Sequence, residues 1–546
     1  MRACIAAAWV LAAAYLAAGL ATLWLSPRVP YADAWRFLAR FLRVSGPAGV
    51  VTPDNGHYEL LPNLVRVLEL RHFAANQSLQ IAVSMALLLA ICVVTWRILR
   101  GLASASRAAA VLAMALGLFW LGNVRALGHA HDALHVYCVV LALALGLQAL
   151  VNAQRANGIR AAGVAAICGG FAAMSFGSGI AVFVGFAAVL VVHGSNVRGW
   201  LVLSAGLIAS LLTLRLGDGT DTAIAFAPSA QAELLLRWLA GPFVFAGWPL
   251  FDPGVAAHIP SAAVRGPAEA IAQAYAGAFG PVMLARWPHL LVGAMGVAWL
   301  GFESWRACRS KQAPALFGIG VAWFSLAVGG LIAVVRYTYF KDFPDQLLAP
   351  RYVVWSSLFW AGLGMAAVVH AKRPAIALGQ VMMVAILLVP SQAWMAKLGG
   401  GMRDIAERTA LAATAGVLET GLPLGENVPG ELADALPGLR RANAAAFAWP
   451  EAGMLGKSVP MGTRYLAEAR DIQVATVGNR LGDRGRRVSF VLGDIVPSGD
   501  RLLLVDADGT ARGLAMRDPE NRARWIGWMS GEGDGAVPWV ASLPTP

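Results

Sequence analysis

Residues 313–335, APALFGIGVAWFSLAVGGLIAVV, decide the fold, because they form an apolar run without a charge between Lys311 and Arg336. A helix needs roughly 20 mostly apolar residues to cross a bilayer, and this run is long enough. Comparable runs recur at 4–25, 78–96, 108–121, 133–151, 161–176, 179–192, 200–214, 288–301, 353–369 and 375–396. The sequence therefore predicts an all-α polytopic membrane protein with about eleven transmembrane helices.

The composition of the whole chain supports the same class. Of 546 residues, 58% are hydrophobic and 14% are charged, and the mean hydropathy is +0.61. Soluble domains contain roughly 45–50% apolar residues with glycine included and about 25% charged residues. An ordinary soluble enzyme, a disordered chain and a coiled coil are therefore excluded. The 5 cysteines lie in or beside the apolar runs, so neither a disulfide framework nor a CxxC metal site is expected.

The net charge is +12, which in a soluble protein would indicate a nucleic-acid partner. Here the excess is concentrated in the N-terminal segment and in alternate loops between the apolar runs, which together hold twelve basic residues and a single acid, Glu303. By the positive-inside rule these loops are cytoplasmic. The charge thus reports topology, and no nucleic acid is expected. We expect the N-terminus to lie in the cytoplasm and the C-terminus on the outer side of the membrane.

This orientation divides the chain into two predicted domains. Residues 1–397 form the polytopic domain, with extracytoplasmic loops at 26–77, 215–287 and 336–352. An apolar stretch at 234–251 within the second loop predicts a re-entrant or interfacial helix. Residues 398–546 form a small mixed α/β domain, with helices at 403–418 and 431–447 and strands at 487–496 and 501–505. Asp506–Gly509 is expected to be a hairpin turn rather than a calcium loop.

Acidic residues give the first indication of function. None of those before residue 400 falls in the middle of a predicted span, which argues against a carrier coupled to protons or sodium. Asp33, Asp54 and Glu59 lie in the first loop. After Asp33, arginines 36, 40 and 43 recur at helical spacing opposite apolar residues, which predicts an interfacial helix with a basic face toward lipid phosphates. Such a helix would hold Asp33 at the membrane surface.

Four short pieces of sequence carry a resemblance to a known family. They are Asp33-Ala34-Trp35, the segment 55–62, Ser175–Gly179 and Arg351-Tyr352. Together with the long first loop, they resemble the GT-C superfamily of membrane glycosyltransferases, in particular a group of bacterial polytopic proteins of that type. The chain departs from the superfamily in one respect, since many members carry two adjacent acids where this chain has Asp33 followed by Ala34.

The resemblance implies a sugar donor linked to polyprenyl phosphate and a glycan or lipid acceptor, with transfer at the outer face of a bacterial inner membrane. The C-terminal domain is then expected in the periplasm. This reaction needs a base for the acceptor hydroxyl and cations for the departing phosphate. Asp33 is then the expected base, assisted by Asp54 or Glu59. Arg351, with Arg336 or Lys341, is expected to hold the phosphate. Further substrate contacts are expected at Trp35, His57 and Tyr352.

Two other functions remain open on the sequence. A polysaccharide polymerase or ligase also uses outer loops and arginines, and a transporter or flippase would also carry lipid-linked sugars. The motif His129-Ala130-His131-Asp132 has potential metal ligands, but adjacent residues rarely converge on one ion. We interpret it as an interfacial cap. No cofactor is predicted, and a divalent metal is not indicated.

Overall fold

The computed structural model describes residues 1–44, 47–54, 58–153, 158–193, 197–215, 225–459, 463–465, 469–482, 484–492, 499–531 and 538–543. The chain forms two compact units. The first unit consists of Met1–Leu25, Val51–Pro62 and Ile81–Gly399, and the second of Ser26–Val50, Asn63–Gln80 and Gly400–Pro546. Two segments of the predicted first loop therefore belong to the same unit as the C-terminal residues.

Helices account for most of the described chain. In chain order they are α1 (Arg2–Trp24), α2 (Ala34–Arg43), α3 (Pro47–Val51), α4 (Leu60–His72), α5 (Ser78–Leu99), α6 (Ser104–Phe119), α7 (Val124–Leu127), α8 (Ala130–Val151), α9 (Gly158–Ala173), α10 (Val182–His193), α11 (Val197–Arg215), α12 (Pro228–Leu239), α13 (Gly241–Phe251), α14 (Pro253–Ala256), α15 (Ala262–Phe279), α16 (Trp287–Ser310), α17 (Ala313–Val335), α18 (Tyr337–Asp342), α19 (Pro350–Val369), α20 (Pro374–Leu387), α21 (Val389–Thr414) and α22 (Pro429–Ala442).

Multiple helices have the length and composition needed to cross a membrane. Within the described residues there are 7 of them, or up to 9 if each bent pair is counted as one span. The expected number of about eleven is not confirmed. The runs at 161–176 and 179–192 form the shorter helices Gly158–Ala173 and Gly177–His193, which fall short of the roughly 20 residues that a straight span requires.

Two pairs of helices are bent at short breaks, one at the predicted re-entrant or interfacial stretch 234–251 and one at the predicted span 375–396. Helices α12 and α13 meet at an angle of 61°, and α20 and α21 meet at 41°. The first pair contains the stretch at 234–251, and its geometry fits either a broken span or a re-entrant loop. Such irregular backbone is tolerated at membrane depth only where protein covers it or where it lines a cavity.

The centre of the first unit is built around α6, α8, α17 and α19. Helices α17 and α19 cross at a pair of glycines, because a Cβ atom on Gly318 would lie 2.5 Å from the carbonyl oxygen of Gly362. The converse distance, from a Cβ atom on Gly362 to the carbonyl oxygen of Gly318, would be 2.6 Å. Close approach through small residues is how membrane helices gain packing energy in the absence of a hydrophobic driving force.

A buried polar network joins the C-terminal ends of α16 and α19. The Glu303 carboxylate accepts a hydrogen bond from the Arg306 guanidinium at 2.9 Å and lies 2.7 Å from Nδ1 of His370. The hydroxyl of Ser310 lies 2.9 Å from the other ring nitrogen of His370, and Arg306 also donates to the carbonyl of His370. Cationic groups at helix C-termini satisfy free carbonyls and oppose the negative end of the dipole. This network therefore ties two helix ends together.

The second unit contains a seven-stranded sheet. Its strands are β1 (Arg464–Tyr465), β2 (Ala469–Val477), β3 (Gly485–Leu492), β4 (Arg501–Val505), β5 (Ala511–Arg517), β6 (Arg524–Ser530) and β7 (Trp539–Ser542). The spatial order is β1-β7-β4-β5-β6-β3-β2 with every pair antiparallel. The turn at Asp506–Gly509 joins β4 to β5, and the Gly509 N–H donates to the Asp506 carbonyl at 3.0 Å. The expected small α/β composition of the C-terminal residues is thus found.

Helix α4 carries a buried acid in the second unit. The Glu69 carboxylate accepts hydrogen bonds from the Leu79 N–H at 2.8 Å and from the Gln80 amide at 2.6 Å. Burial nevertheless raises the pKa of Glu69 above its usual value, because removal from water penalises the charged form more than these donors favour it.

Candidate functional site

Three distant parts of the sequence meet in the first unit at the N-terminal end of α8. The first loop returns there beside α9, and the N–H of Leu60 donates to the carbonyl of Met174 at 2.7 Å. Next to Leu60, the Glu59 carboxylate lies 3.7 Å from Nδ1 of His135. The His135 ring stacks on Phe176 with centroids 4.2 Å apart and planes inclined by 7°. The structure thus brings together Glu59, the start of α8 and the Ser175–Gly179 segment.

A second ionic group lies on the same helix end. The guanidinium of Arg125, on α7, forms an ion pair with the carboxylate of Asp132, whose oxygen is also 3.4 Å from Nδ1 of His129. The exposed fractions of the Arg125 and Asp132 side chains are 5% and 12%. Asp132 lies in the first turn of α8, where the positive end of the helix dipole favours a carboxylate.

Three histidines at the start of α8 lie between these two groups. The rings of His129 and His131 have centroids 5.9 Å apart, and those of His131 and His135 are 6.2 Å apart. We call Glu59, Arg125, His129, His131, Asp132 and His135 the α8 cluster, and all six residues are buried. Ionisable side chains at the end of a membrane helix bundle are expensive to bury and are commonly functional.

The α8 cluster enlarges the motif that the sequence suggested. Sequence reasoning identified His129–Asp132 as a cap but missed its two partners, Arg125 and His135. His135 could have been found, because it follows His131 at helical spacing. Arg125 lies seven residues before Asp132, on a separate short helix, so no helical spacing joined the two. No group of three or more His, Cys, Asp or Glu residues with the arrangement of a metal site occurs within the residues that the structure describes.

The predicted phosphate-binding residues belong to the same unit and lie near the same end of the bundle. Helix α17 runs antiparallel to α8. A Cβ atom on Gly320 would touch Leu147, and four residues further along α17, Phe324 lies with Leu143 of α8 around Gly185. The residue number thus rises along α17 as it falls along α8. From that contact, Arg336 and His131 are each sixteen residues away, or roughly 24 Å along the two helices. Arg336 therefore lies at about the height of His131.

Arg351, in the first turn of α19, lies toward the same end of the helix bundle. Helices α6 and α19 are antiparallel, because Gly117 faces Ala361 and Gly364 faces Ala113. The N-terminal turns of α19 accordingly point toward the segment after α6, and α19 packs against α7, which carries Arg125. The Arg351 guanidinium donates to the Gln346 amide oxygen at 3.1 Å and lies 5.0 Å from the ring centroid of Tyr352.

The remaining predicted residues of this unit are less buried. Lys341 is exposed and Arg336 is half-buried, and neither side chain has an ion pair with another described residue. Asp54 is half-buried. His57 lies outside the described residues.

Asp33 belongs to the second unit. It precedes α2, and its carboxylate is 3.4 Å from the Arg36 guanidinium, which also pairs with Glu431 of α22 at 2.8 Å. Asp33 is exposed, with 53% of its side chain accessible. The residue before it, Ala32, has a φ of 50°, and its N–H donates to the Asn427 side chain at 2.6 Å. A left-handed alanine is strained and persists only where its surroundings hold it.

Helix α2 forms where the sequence predicts an amphipathic helix. Its apolar residues Phe37 and Phe41 are buried within the second unit, and the guanidinium groups of Arg40 and Arg66 lie 4.7 and 4.5 Å from the Phe37 ring centroid. The predicted basic face is thus partly engaged with protein groups. Trp35, expected to contact substrate, is 2% exposed and packs in the core.

Another buried polar group was missed by sequence reasoning. His289, at the start of α16, is 4% exposed, and neither ring nitrogen has a hydrogen-bond partner among the described residues. It packs near Arg237 of α12 and within range of its charge. The Arg237 guanidinium donates to the carbonyl of Leu284 at 3.3 Å, while its Nε atom has no partner in the described part of the chain. This pair adds buried donors to the broken α12–α13 segment.

No protein-family model matches the chain, and no curated protein matches it either.

Proposed function

We propose that the protein is a membrane glycosyltransferase that moves a sugar from a polyprenyl-phosphate donor to an envelope glycan or lipid acceptor. The observation that carries the proposal is the α8 cluster, in which Glu59 from the first loop meets the buried acid, arginine and histidines of α7 and α8. Arg336 and Arg351 at the same end of the bundle supply positive charge for a departing phosphate. The GT-C resemblance supports the same reaction.

Glycosyl transfer from a lipid phosphate divides the chemistry between acids and cations. In the proposal, Asp33 keeps the role that the sequence predicts for it, removal of the proton from the acceptor hydroxyl. Within the first unit, Asp54 or Glu59 has the assisting role. The acceptor oxygen bonds to the anomeric carbon of the sugar as the bond between that carbon and the phosphate oxygen breaks, and negative charge grows on the departing polyprenyl phosphate. Arg351, with Arg336 or Lys341, stabilises that charge through a planar fork or an ammonium group.

The proposed location is the outer face of a bacterial inner membrane, with the N-terminus in the cytoplasm. The N-terminal segment and the alternate loops, which together hold twelve of the basic residues, support this orientation. It puts the α8 cluster, Arg336 and Arg351 on the periplasmic side, where a lipid-linked sugar presents its head group.

A transporter of lipid-linked sugars is the second candidate, and the bent helix pair favours it. Transporters bind substrate at discontinuous helices, and α12 and α13 are bent by 61°. A transporter would move the complete lipid-linked sugar across the membrane without changing it. The two functions therefore differ in which molecule accumulates when the protein is lost.

The experiment compares lipid-linked oligosaccharides and surface glycans, by mass spectrometry, in a deletion strain complemented with variants. Asp33→Asn and Glu59→Gln should each lower transfer by about a hundredfold or more, the usual contribution of an acid or base. Asp342→Asn, which changes an exposed acid of the third loop, is the matched control. Equal amounts of folded protein are verified in membranes.

The outcomes separate the candidates. Loss of a single sugar from the surface glycan, with the unused donor accumulating, supports transfer. Loss of the whole glycan with a complete lipid-linked precursor left behind supports transport instead. Full activity in Asp33→Asn would remove Asp33 as the base, and an unchanged glycan profile in the deletion strain would refute the glycosyltransferase.

A further inference from the structure

The second unit contains a cavity that the proposed catalytic residues do not use. It has a volume of about 510 Å³ and is bounded by the C-terminal ends of α21 and α22, the residues 452–457 and the start of β5. We call it the C-terminal pocket. Small-molecule sites typically measure about 300–1,000 Å³, so a short oligosaccharide or a sugar phosphate fits its size.

All the charged side chains that line the C-terminal pocket are positive. Arg440, Lys457 and Arg512 line it, and no acidic residue is among the described residues of the lining. Arg512 is partly neutralised, since Asp506 and Asp508 lie 3.3 and 3.6 Å from its guanidinium. Neither Arg440 nor Lys457 forms an ion pair with any described residue. The pocket therefore carries a net positive charge that is available to a ligand.

The residues around the cations of the C-terminal pocket leave space for a ligand. The Arg440 guanidinium lies 5.4 Å from the ring centroid of Phe447, which also lines the cavity. Asn443 ends α22 with a φ of 48°, so the chain turns sharply and its polar side chain remains at the rim. Gly416 and Gly456, both with a φ of 80°, present backbone without side chains.

The surface thus combines cations, polar groups and an apolar floor. Sugars match this combination, because their hydroxyls bond to polar groups while their C–H faces pack on apolar surface. A carboxylate or phosphate on the sugar would pair with Arg440 and Lys457, as charge-assisted hydrogen bonds are the stronger kind. A neutral sugar would leave these two cations without a partner.

We propose that the C-terminal pocket binds an anionic carbohydrate, that is, a sugar bearing a carboxylate or a phosphate. The further statement that this carbohydrate is the acceptor glycan rests on the proposed function. Binding itself does not, so the two can fail separately.

The test measures binding to the full-length protein in detergent micelles by isothermal titration calorimetry. The probes are trigalacturonate, mannose 6-phosphate, inorganic phosphate and the neutral sugar maltotriose. The first two distinguish a carboxylate from a sugar phosphate as the preferred anion, and inorganic phosphate tests whether the anion alone suffices. We expect at least one of the two anionic sugars to bind, to weaken with added salt, and to bind more tightly than maltotriose.

Variants locate the binding. Arg440→Gln and Lys457→Gln should each raise the dissociation constant at least tenfold. Arg441→Gln is the matched control, because Arg441 is the adjacent residue of α22, is exposed and does not line the pocket. Circular dichroism and thermal unfolding of each variant verify that it is folded.

Several results would overturn the proposal. These are the absence of binding by both anionic sugars at millimolar concentration, equal binding of maltotriose, binding of inorganic phosphate as tight as that of the sugars, or an equal effect of Arg441→Gln. If the anionic sugar binds but Asp33→Asn retains full transfer activity, the pocket stands and the assignment of Asp33 fails.

Discussion

Asp132→Asn removes one charge from the buried ion pair at the N-terminal end of α8 and leaves the shape of the side chain nearly unchanged. The remaining Arg125 guanidinium is 5% exposed and cannot be hydrated without opening the helix packing. His129 loses the same carboxylate as a neighbour. The variant therefore measures the cost of removing one charge from a buried ion pair.

Two estimates give the same magnitude. A pair of charges about 4 Å apart interacts by about 4 kcal/mol at an effective dielectric constant of about 20. Measured losses on removal of one partner of a buried pair are about 3–5 kcal/mol. Replacing both partners, as in Arg125→Met combined with Asp132→Leu, should restore most of this loss, because apolar residues of similar volume often replace buried pairs without a penalty.

The assay is reversible unfolding in mixed detergent micelles, monitored by circular dichroism, with the exposed-acid variant Asp342→Asn as the control. We expect a large loss of unfolding free energy for Asp132→Asn, a smaller loss for the double variant, and little change for the control. A loss below about 1 kcal/mol for Asp132→Asn would contradict the burial of the pair, since exposed pairs contribute about that much or less. A double variant as unstable as the single one would contradict the electrostatic explanation.

Two further predictions concern packing and pH. Gly362→Ala should lower the melting temperature in detergent more than Gly364→Ala does. The new Cβ atom would lie 2.6 Å from the Gly318 carbonyl oxygen in the first variant and 3.9 Å from its nearest neighbour in the second. Equal melting temperatures would refute the close crossing of α17 and α19. Because burial raises the pKa of Glu69, the folded state holds its proton more tightly than the unfolded state. Its contribution therefore favours folding below the unfolded pKa of about 4.3 and declines as pH rises through the folded value. The melting temperature of Glu69→Gln minus that of the native protein should thus increase from pH 4 to pH 8. If this difference does not change with pH, Glu69 has the same pKa in the folded and unfolded states, which would contradict the prediction.

The membrane character was predictable because it depends on local sequence. An apolar run such as 313–335 has the length and composition of a span whatever surrounds it, and α17 covers the same residues. The number of spans was less predictable, because it depends on where helices end and bend. The runs at 161–176 and 179–192 are apolar enough to count, yet their helices are short. The strand at 501–505 and its turn were also predictable, from a short apolar run followed by turn residues.

The candidate site was only partly predictable. Glu59 was identified from its position in the first loop, and it lies beside His135, a residue that no sequence motif had joined to it. The separation of Asp33 from Glu59 into different compact units was not foreseen. The sequence of the first loop shows that it contains carboxylates. It does not show their partners, because those come from segments far along the chain.

The sequence by itself determined that this is a multi-pass membrane protein with a small α/β portion near its C-terminus, because hydrophobic length and period are local properties. Only the tertiary structure decided which polar groups share a site. It pairs Arg125 with Asp132, sets Glu59 beside His135, and collects Arg440, Lys457 and Arg512 around one cavity. The physical reason is that desolvation and charge pairing depend on distances between atoms, and those distances are set by helix packing and sheet order rather than by spacing along the chain.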